Sequence, residues 1–269
     1  MRLKKKIRRI LDLVLWSLLF AGAGVLLGFA DYEQNGTVCR NLFIKMNYGQ
    51  ADMLVTEAEI DSLILISSGK IVGKPLWAIN TECIERSVSV QPYVSGVHVY
   101  ETFSGDVIVH VSQRQPVLRV ISESNYNVYI GDQGVLFPIN PDYPARVLIA
   151  SGTIPDSSFH NMPKGVEQML IDSIGHSPVL ADLFRIALFV SNDPFFKAQI
   201  DQIYVNRNGE YELIPKVGDH VILLGKADDL GDKFQRLFVF YRKGLNQVGW
   251  NKYNYINIKY KNQVVCSKI

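Results

Sequence analysis

Hydrophobic and polar positions follow three different periods along this chain. From Ile10 to Ala30, "ILDLVLWSLLFAGAGVLLGFA", nearly every position is apolar and Asp12 is the only charge. A helix of that length rises roughly 30 Å, about the depth of a bilayer core, so residues 10–30 predict a single transmembrane helix. A helical period comes next. Thr56 and Glu59 have capping-box spacing, and Ile60, Leu63, Ile64 and Ser67 mark one face of the helix they open. A second short helix is predicted from about Thr81 to Val88. Ahead of these helices, "VCRNLFIKMNYG" reads as a strand with Val38, Phe43, Ile44 and Met46 turned inward. After them, "SGVHVYETF" and "GDVIVHVSQ" alternate with period two around Ser104-Gly105-Asp106, which predicts a hairpin. The order β-α-α-β-β describes a compact α+β module. In its loop "VGKPLWAIN", Trp77 and Ile79 are expected to be buried.

Beyond Gln115-Pro116 the pattern is mostly period two. "VLRVIS" is a strand, "YNVYI" and "VLFPI" a hairpin, and "ARVLIA" another strand. "PVLADLFRIALFV" has a helical face in Leu180, Leu183, Phe184, Ala187 and Leu188. "IDQIYVN" and "EYELIP" form a hairpin through Asn208-Gly209, and "HVILLG" is a strand. A helix from about Leu230 to Asn246 carries Phe234, Leu237, Phe238 and Tyr241 in register. "YNYINIKYKNQVV" then alternates to its end and predicts one long terminal strand. The fold class is therefore α+β: one N-terminal transmembrane helix, the β-α-α-β-β module, then a mixed β-rich domain with an exposed edge strand. The boundaries are 1–9 tail, 10–30 transmembrane helix, 31–37 linker, 38–115 module and 116–269 β domain.

Charge sets the topology. Residues 1–9, "MRLKKKIRR", hold six cations and no acid. The basic flank keeps them in the cytoplasm and sends everything after Ala30 across the cytoplasmic (inner) membrane. Gly28-Phe29-Ala30 would also serve as a signal-peptidase site, but the apolar run exceeds the usual signal core of about 7–15 residues. Over the whole chain net charge is only +2, which gives no sign of a nucleic-acid partner. Composition, 48% hydrophobic and 20% charged, supports folded cores.

Chemistry-bearing motifs are absent. Cys39, Cys83 and Cys266 are too sparse for a disulfide framework, although Cys39 and Cys83 could pair outside the cell. His98 and His110 are placed to face one another on the hairpin, but no third metal ligand stands near them. Gly131-Asp132-Gln133-Gly134 lacks phosphate-cradle spacing and a following helix, so it reads as a hairpin tip. Catalytic, cofactor and metal residues are all read as none.

The order of parts resembles the bacterial cell-division family FtsQ/DivIB. "GKPLWAIN" is similar to the family's glycine-rich approach to its second helix. "VIVHVSQRQPVLRV" is similar to its Arg-x-Pro junction, with Gln113 where an acid is usual. "VYIGDQGVLFPI" resembles its tyrosine-aspartate-glycine hairpin. "YPARVLIASG" and "VGDHVILLGK", with Lys233 beyond, resemble the segments that follow. "YINIKYKNQVV" resembles its terminal strand, with Asn257-Ile258-Lys259 in place of Asp-Leu-Arg. The resemblance implies a POTRA (polypeptide-transport-associated) docking module and a non-enzymatic scaffold of the divisome that regulates septal peptidoglycan synthesis. It implies FtsB and FtsL as partners, with further division proteins at the module and the transmembrane helix. It also implies partner contacts on the terminal strand. An exposed edge there would accept a partner segment as an added strand along Lys259, Tyr260, Lys261, Asn262, Gln263, Val264 and Val265, with Tyr260 as anchor. On the module, the first strand is the expected outer edge. A POTRA-bearing export component and an anchored cell-wall enzyme are the alternatives. The first would need a barrel or tandem modules, the second a cleft of titrating residues.

Overall fold

A computed structural model describes residues 15–24, 37–124, 127–155, 159, 177–245, 247 and 249–268. Residues 15–24 are helical and exposed. Among the described residues no helix is long and apolar enough to cross a membrane. The tail, most of the expected span, linker residues 31–36, His160 and His176 lie outside the described residues. The chain divides into two compact units: Met1–Asn47 with Glu57–Gln91 and Gly96–Val111, and Tyr48–Thr56 with Pro92–Ser95 and Ser112–Ile269.

The first unit holds β1 (Asn41–Asn47), α1 (Glu57–Ser68), α2 (Thr81–Ser89) and most of β2 (Val94–Glu101) and β3 (Asp106–Gln113). The sheet order is β1-β3-β2, so β1 is an outer strand as expected. Central β3 buries Val107, Val109 and Val111, while α1 and α2 bury Ile60, Ile64, Ile84 and Val88. Asn80 caps α2 by accepting from the Cys83 amide. Three sequence expectations fail here. In β1 the half-buried face is Leu42, Ile44 and Met46, and Phe43 is exposed because it falls on the other parity. Val38, also expected inward, lies ahead of the strand and is 44% exposed. Trp77 is 71% exposed: a single 3₁₀ turn, Leu76–Ala78, turns Leu76 into the core in its place. All three cysteines are free, with Cys39 buried and Cys83 exposed.

The second unit is a nine-stranded mixed sheet. Its strands are β4 (Pro116–Ile121), β5 (Asn127–Gly131), β6 (Leu136–Pro138), β7 (Leu148–Gly152), β8 (Ile200–Val205), β9 (Tyr211–Pro215), β10 (Val221–Gly225), β11 (Tyr253–Asn257) and β12 (Val265–Lys268). They lie in the order β12-β11-β10-β9-β8-β7-β4-β5-β6. Helices α3 (Pro178–Asn192), α4 (Pro194–Gln199) and α5 (Leu230–Val239) share the large core with the inward side of the sheet. Pro178 and Pro194 each sit in a helix's first turn behind a cap, Ser177 and Asp193 respectively. After Val239, α5 runs on as a π-helical turn, Phe240–Leu245, rather than as the one α-helix expected. The β5–β6 tip is the expected hairpin, with Gly134 at φ 71° and its amide bonded to the Gly131 carbonyl at 2.9 Å. The β8–β9 turn is one residue longer than expected. The Gly209 amide bonds the Asn206 carbonyl, and the positive φ falls on Gly209 alone.

Gln113 and Gln115, at the junction, explain a segment with no secondary structure of its own. Gln113 is 3% exposed; its carbonyl accepts from the Leu54 amide at 2.6 Å and its amide donates to the Asp52 carbonyl at 2.9 Å. Gln115 accepts from the Gln50 and Ala51 amides and donates to the Tyr48 carbonyl. Two neutral amides thus stand in for a strand partner, which a carboxylate, an acceptor only, could not do. Leu54 then packs with Tyr129, Phe137 and Ala145 in a second, smaller core.

Candidate functional site

At one end of the nine-stranded sheet lies β12, whose one strand neighbour among the described residues is β11. The two pair antiparallel with Asn257 opposite Val265, Ile256 opposite Cys266 and Tyr255 opposite Ser267. β11 is in turn parallel to β10, with Val221, Ile222 and Leu223 opposite Tyr255, Ile256 and Asn257. Ile256 has no exposed surface and Cys266 packs against the same core. Burial pushes the Cys266 thiol pKa up. Alternation therefore puts Tyr255 and Val265, 47% and 48% exposed, on the opposite face.

The expectation of one continuous terminal strand is corrected. β11 stops at Asn257, residues 258–264 turn back, and the chain returns as β12. Asn257 accepts from the Lys259 amide at 3.0 Å, a side-chain bond that competes with the ladder. Asn262 takes a left-handed φ of 58°, which Asn tolerates better than most residues. Of the seven expected contact residues, Val265 alone lies in a strand; the other six form the turn. Ile258 is fully buried, its amide donating to the Leu223 carbonyl and its carbonyl accepting from Arg236.

Within that turn, Lys259 donates to Glu210, in the β8–β9 connection. Its stem lies over Gly225, where an added Cβ would meet Lys259 Cγ at 2.9 Å. The Lys259 ammonium holds the Glu210 carboxyl below the usual carboxylate range. Tyr260 is 54% exposed. Lys261 lies 3.6 Å from Asp229, both largely in water, a pair that contributes little. Asn262 and Gln263 are exposed, and Val264 is half-buried against the large core. The sequence reading left Cys266, Ser267 and Lys268 out of the set. The signal for them was the polar triplet Lys261-Asn262-Gln263, with an Asn suited to a turn, between two stretches of strand composition.

Below this edge, His220 sits one residue ahead of β10. It is 1% exposed, its Nε2 lies 2.7 Å from the Tyr241 hydroxyl, and its Nδ1 has no partner. Burial lowers its pKa against an opposing effect of Asp219, and burial likewise raises that of Tyr241.

In the first unit, a cavity of about 480 Å³ lies between β1 and α1, lined by Arg40, Phe43, Asp61, Leu65, Lys70 and Val72 among others. His110 stacks on Tyr100, 3.3 Å from its hydroxyl, rather than joining His98. Among the described residues no three His, Cys, Asp or Glu side chains are grouped to hold a metal.

Two family models match the chain. One, described as a POTRA-like domain, matches residues 37–112. The other, FtsQ/DivIB, C-terminal related, matches residues 115–267, more than half of the chain. No curated protein matches it. With a three-stranded module under the first match and a mixed sheet ending on an open strand under the second, the chain belongs to the FtsQ/DivIB family of cell-division proteins.

Proposed function

We propose that this protein is a bitopic scaffold of the bacterial divisome and that β12 is where it takes up FtsB. In this reading residues 1–9 are cytoplasmic, residues 10–30 anchor the chain in the inner membrane, and 38–115 and 116–269 are the exported POTRA-like and β domains. FtsB adds as one more strand beside Val265–Lys268, and the turn residues Lys259 to Val264 flank it. FtsL comes with FtsB. Other division proteins dock on the POTRA-like domain and the transmembrane helix. Septal peptidoglycan synthesis is regulated through these contacts, and the protein carries out no chemistry of its own.

The observation that carries the reading is that, among the described residues, β12 has a single strand neighbour. An open edge offers a row of backbone donors and acceptors, so main-chain bonds supply affinity and alternate side chains supply selection. Tyr255, Tyr260 and Val265, each about half exposed, would provide the apolar contacts. The aromatic ones are the expected anchors. The test is titration of the full chain in nanodiscs with a soluble FtsB segment. Truncation after Val264 removes β12 and should weaken binding at least about 100-fold, and Tyr260→Ala should weaken it about tenfold. Unchanged affinity after the truncation would place the FtsB site elsewhere.

A further inference from the structure

We infer that the end of the POTRA-like module where the chain comes in from the anchor rests on the membrane surface, with Trp77 and Phe103 seated among the lipid headgroups. The inference rests on residues 10–30 being the membrane anchor.

The apolar run ends at Ala30 and the described module begins at Thr37. Seven residue steps span at most about 25 Å, so this end of the module cannot lie far from the bilayer. Three segments meet there. The Thr37 carbonyl accepts from the Leu76 amide at 3.0 Å, and Val38 bridges Pro75, which places the 3₁₀ turn of Trp77 beside the incoming chain. The Arg40 amide donates to the Gly105 carbonyl at 2.8 Å, which brings the β2–β3 tip to the same end. An added Cβ at Gly105 would meet the Val38 carbonyl at 2.8 Å, so the approach is close.

At this end the structure holds large apolar groups in water. Phe103 is 100% exposed, Trp77 71%, Val38 44% and Val72 41%. Neither aromatic sits on a loose loop. The Phe103 turn is closed by Thr102 and Asp106 bonds at 2.9 and 3.0 Å, and the Trp77 turn by 3₁₀ bonds with Leu76 buried beneath it. Isolated exposed apolar residues are ordinary, but a fixed Trp beside the exit from an anchor matches the belt position Trp takes at a bilayer surface, and Phe103 is an apolar side chain of the kind interfacial segments bury there. Charge adds little. Arg40 is offset by Asp106, and the Lys74 ammonium already bonds the Ser68 carbonyl. The contact is therefore with lipid headgroups in general, without a need for anionic lipid.

The chain has three tryptophans, Trp16, Trp77 and Trp250, which makes the contact readable. The full-length protein is reconstituted in phosphatidylcholine vesicles containing lipid brominated near the headgroup end of its acyl chains. In W16F/W250F, Trp77 emission should be quenched, and F103S should reduce that quenching about twofold. The same signal is read without altering Trp250 as the difference between the native protein and W77F. Exchanging a third of the lipid for anionic phosphatidylglycerol should leave it unchanged. Trp16, observed in W77F/W250F, reports on the anchor. Quenched Trp16 with unquenched Trp77 overturns the surface contact and leaves the anchor standing. If neither is quenched, the anchor reading fails and the contact fails with it. Quenching of Trp77 that appears only with anionic lipid overturns the aromatic basis of the proposal.

Discussion

Among the described residues β1 and β12 are each an end strand of a sheet, but they are backed differently. β1 is seven residues long, and its inner residues Leu42, Ile44 and Met46 are only half-buried, with Leu42 lining the cavity next to α1. β12 is four residues long and hangs on β11, where Ile256 and the following Ile258 have no exposed surface. Length favours β1 as a template, and Lys45, next to its midpoint, blunts it. Rigidity favours β12, because a partner that adds to a fixed strand loses less entropy than one that must order its template as well. Open edges in one protein are thus not equivalent: what lies beneath the backbone decides how firmly the edge is presented.

The largest expected effect tests that backing. Ile258→Ala empties a fully buried site and should cost about 2–5 kcal/mol in urea unfolding. Ile44→Ala, at a half-buried position of β1, should cost about 1 kcal/mol. Equal losses would mean that the two edges are equally well supported.

The next effect appears on acidification. His220, ahead of β10, is neutral in the fold because burial lowers its pKa, while the unfolded chain protonates near the ordinary value of 6.5. The unfolded state therefore takes up the proton first. Stability is full above about pH 6.5 and declines as the pH falls from there toward the folded pKa. The melting temperature should drop by a few degrees between pH 7 and 5, above the range of ordinary carboxylates, and His220→Phe should flatten that drop. A pH-independent melt of the native chain would show that the imidazole finds a proton acceptor.

Much of this was legible in the sequence, for reasons that also explain what was not. The helices at 57–68, 81–89 and 178–192 and the hairpin tips at Gly105 and Gly134 follow from local signals: caps, apolar period and turn glycines. Strand partners did not follow. The parallel pairings β4–β7, β7–β8 and β10–β11 join segments far apart in sequence, and alternation says nothing about which strand lies alongside. Trp77 was misplaced because a 3₁₀ turn rotates one residue in and its neighbour out, which hydrophobicity does not encode. At the candidate site the open edge was legible, but its geometry was not. An alternating run of "YINIKYKNQVV" length suits one strand as well as two strands and a tight turn.

A smaller effect concerns the tie between the turn and β8–β9. Glu210→Gln removes the charge that Lys259 meets and should cost about 1 kcal/mol or less, measured in denaturant at low salt. In the native chain that contribution is present above the ordinary carboxylate pKa of 4.5 and is lost as the pH falls through the depressed folded value. No comparable side-chain tie holds β1's outward Lys45 in place among the described residues, so Lys45→Gln should be near neutral.

The sign of an effect, rather than its size, separates one strand from two. With φ at 58°, Asn262 lies in a region that Gly enters freely and β-branched residues avoid. Asn262→Gly should leave stability within about 0.5 kcal/mol, since relief of the left-handed φ offsets the added freedom of the unfolded chain. Asn262→Val should cost about 1 kcal/mol or more. In a continuous strand from Tyr255 to Val264 the signs would reverse, because Val favours and Gly weakens a strand interior. The comparison also bears on the docking edge. A turn at Asn262 is what brings Val265–Lys268 back alongside β11, so Asn262→Val should loosen β12 and lower affinity for an added strand by a few-fold, while Asn262→Gly keeps it. Tighter binding with Val than with Gly would return the contact to an extended Lys259–Val265 segment and take the open edge away from β12.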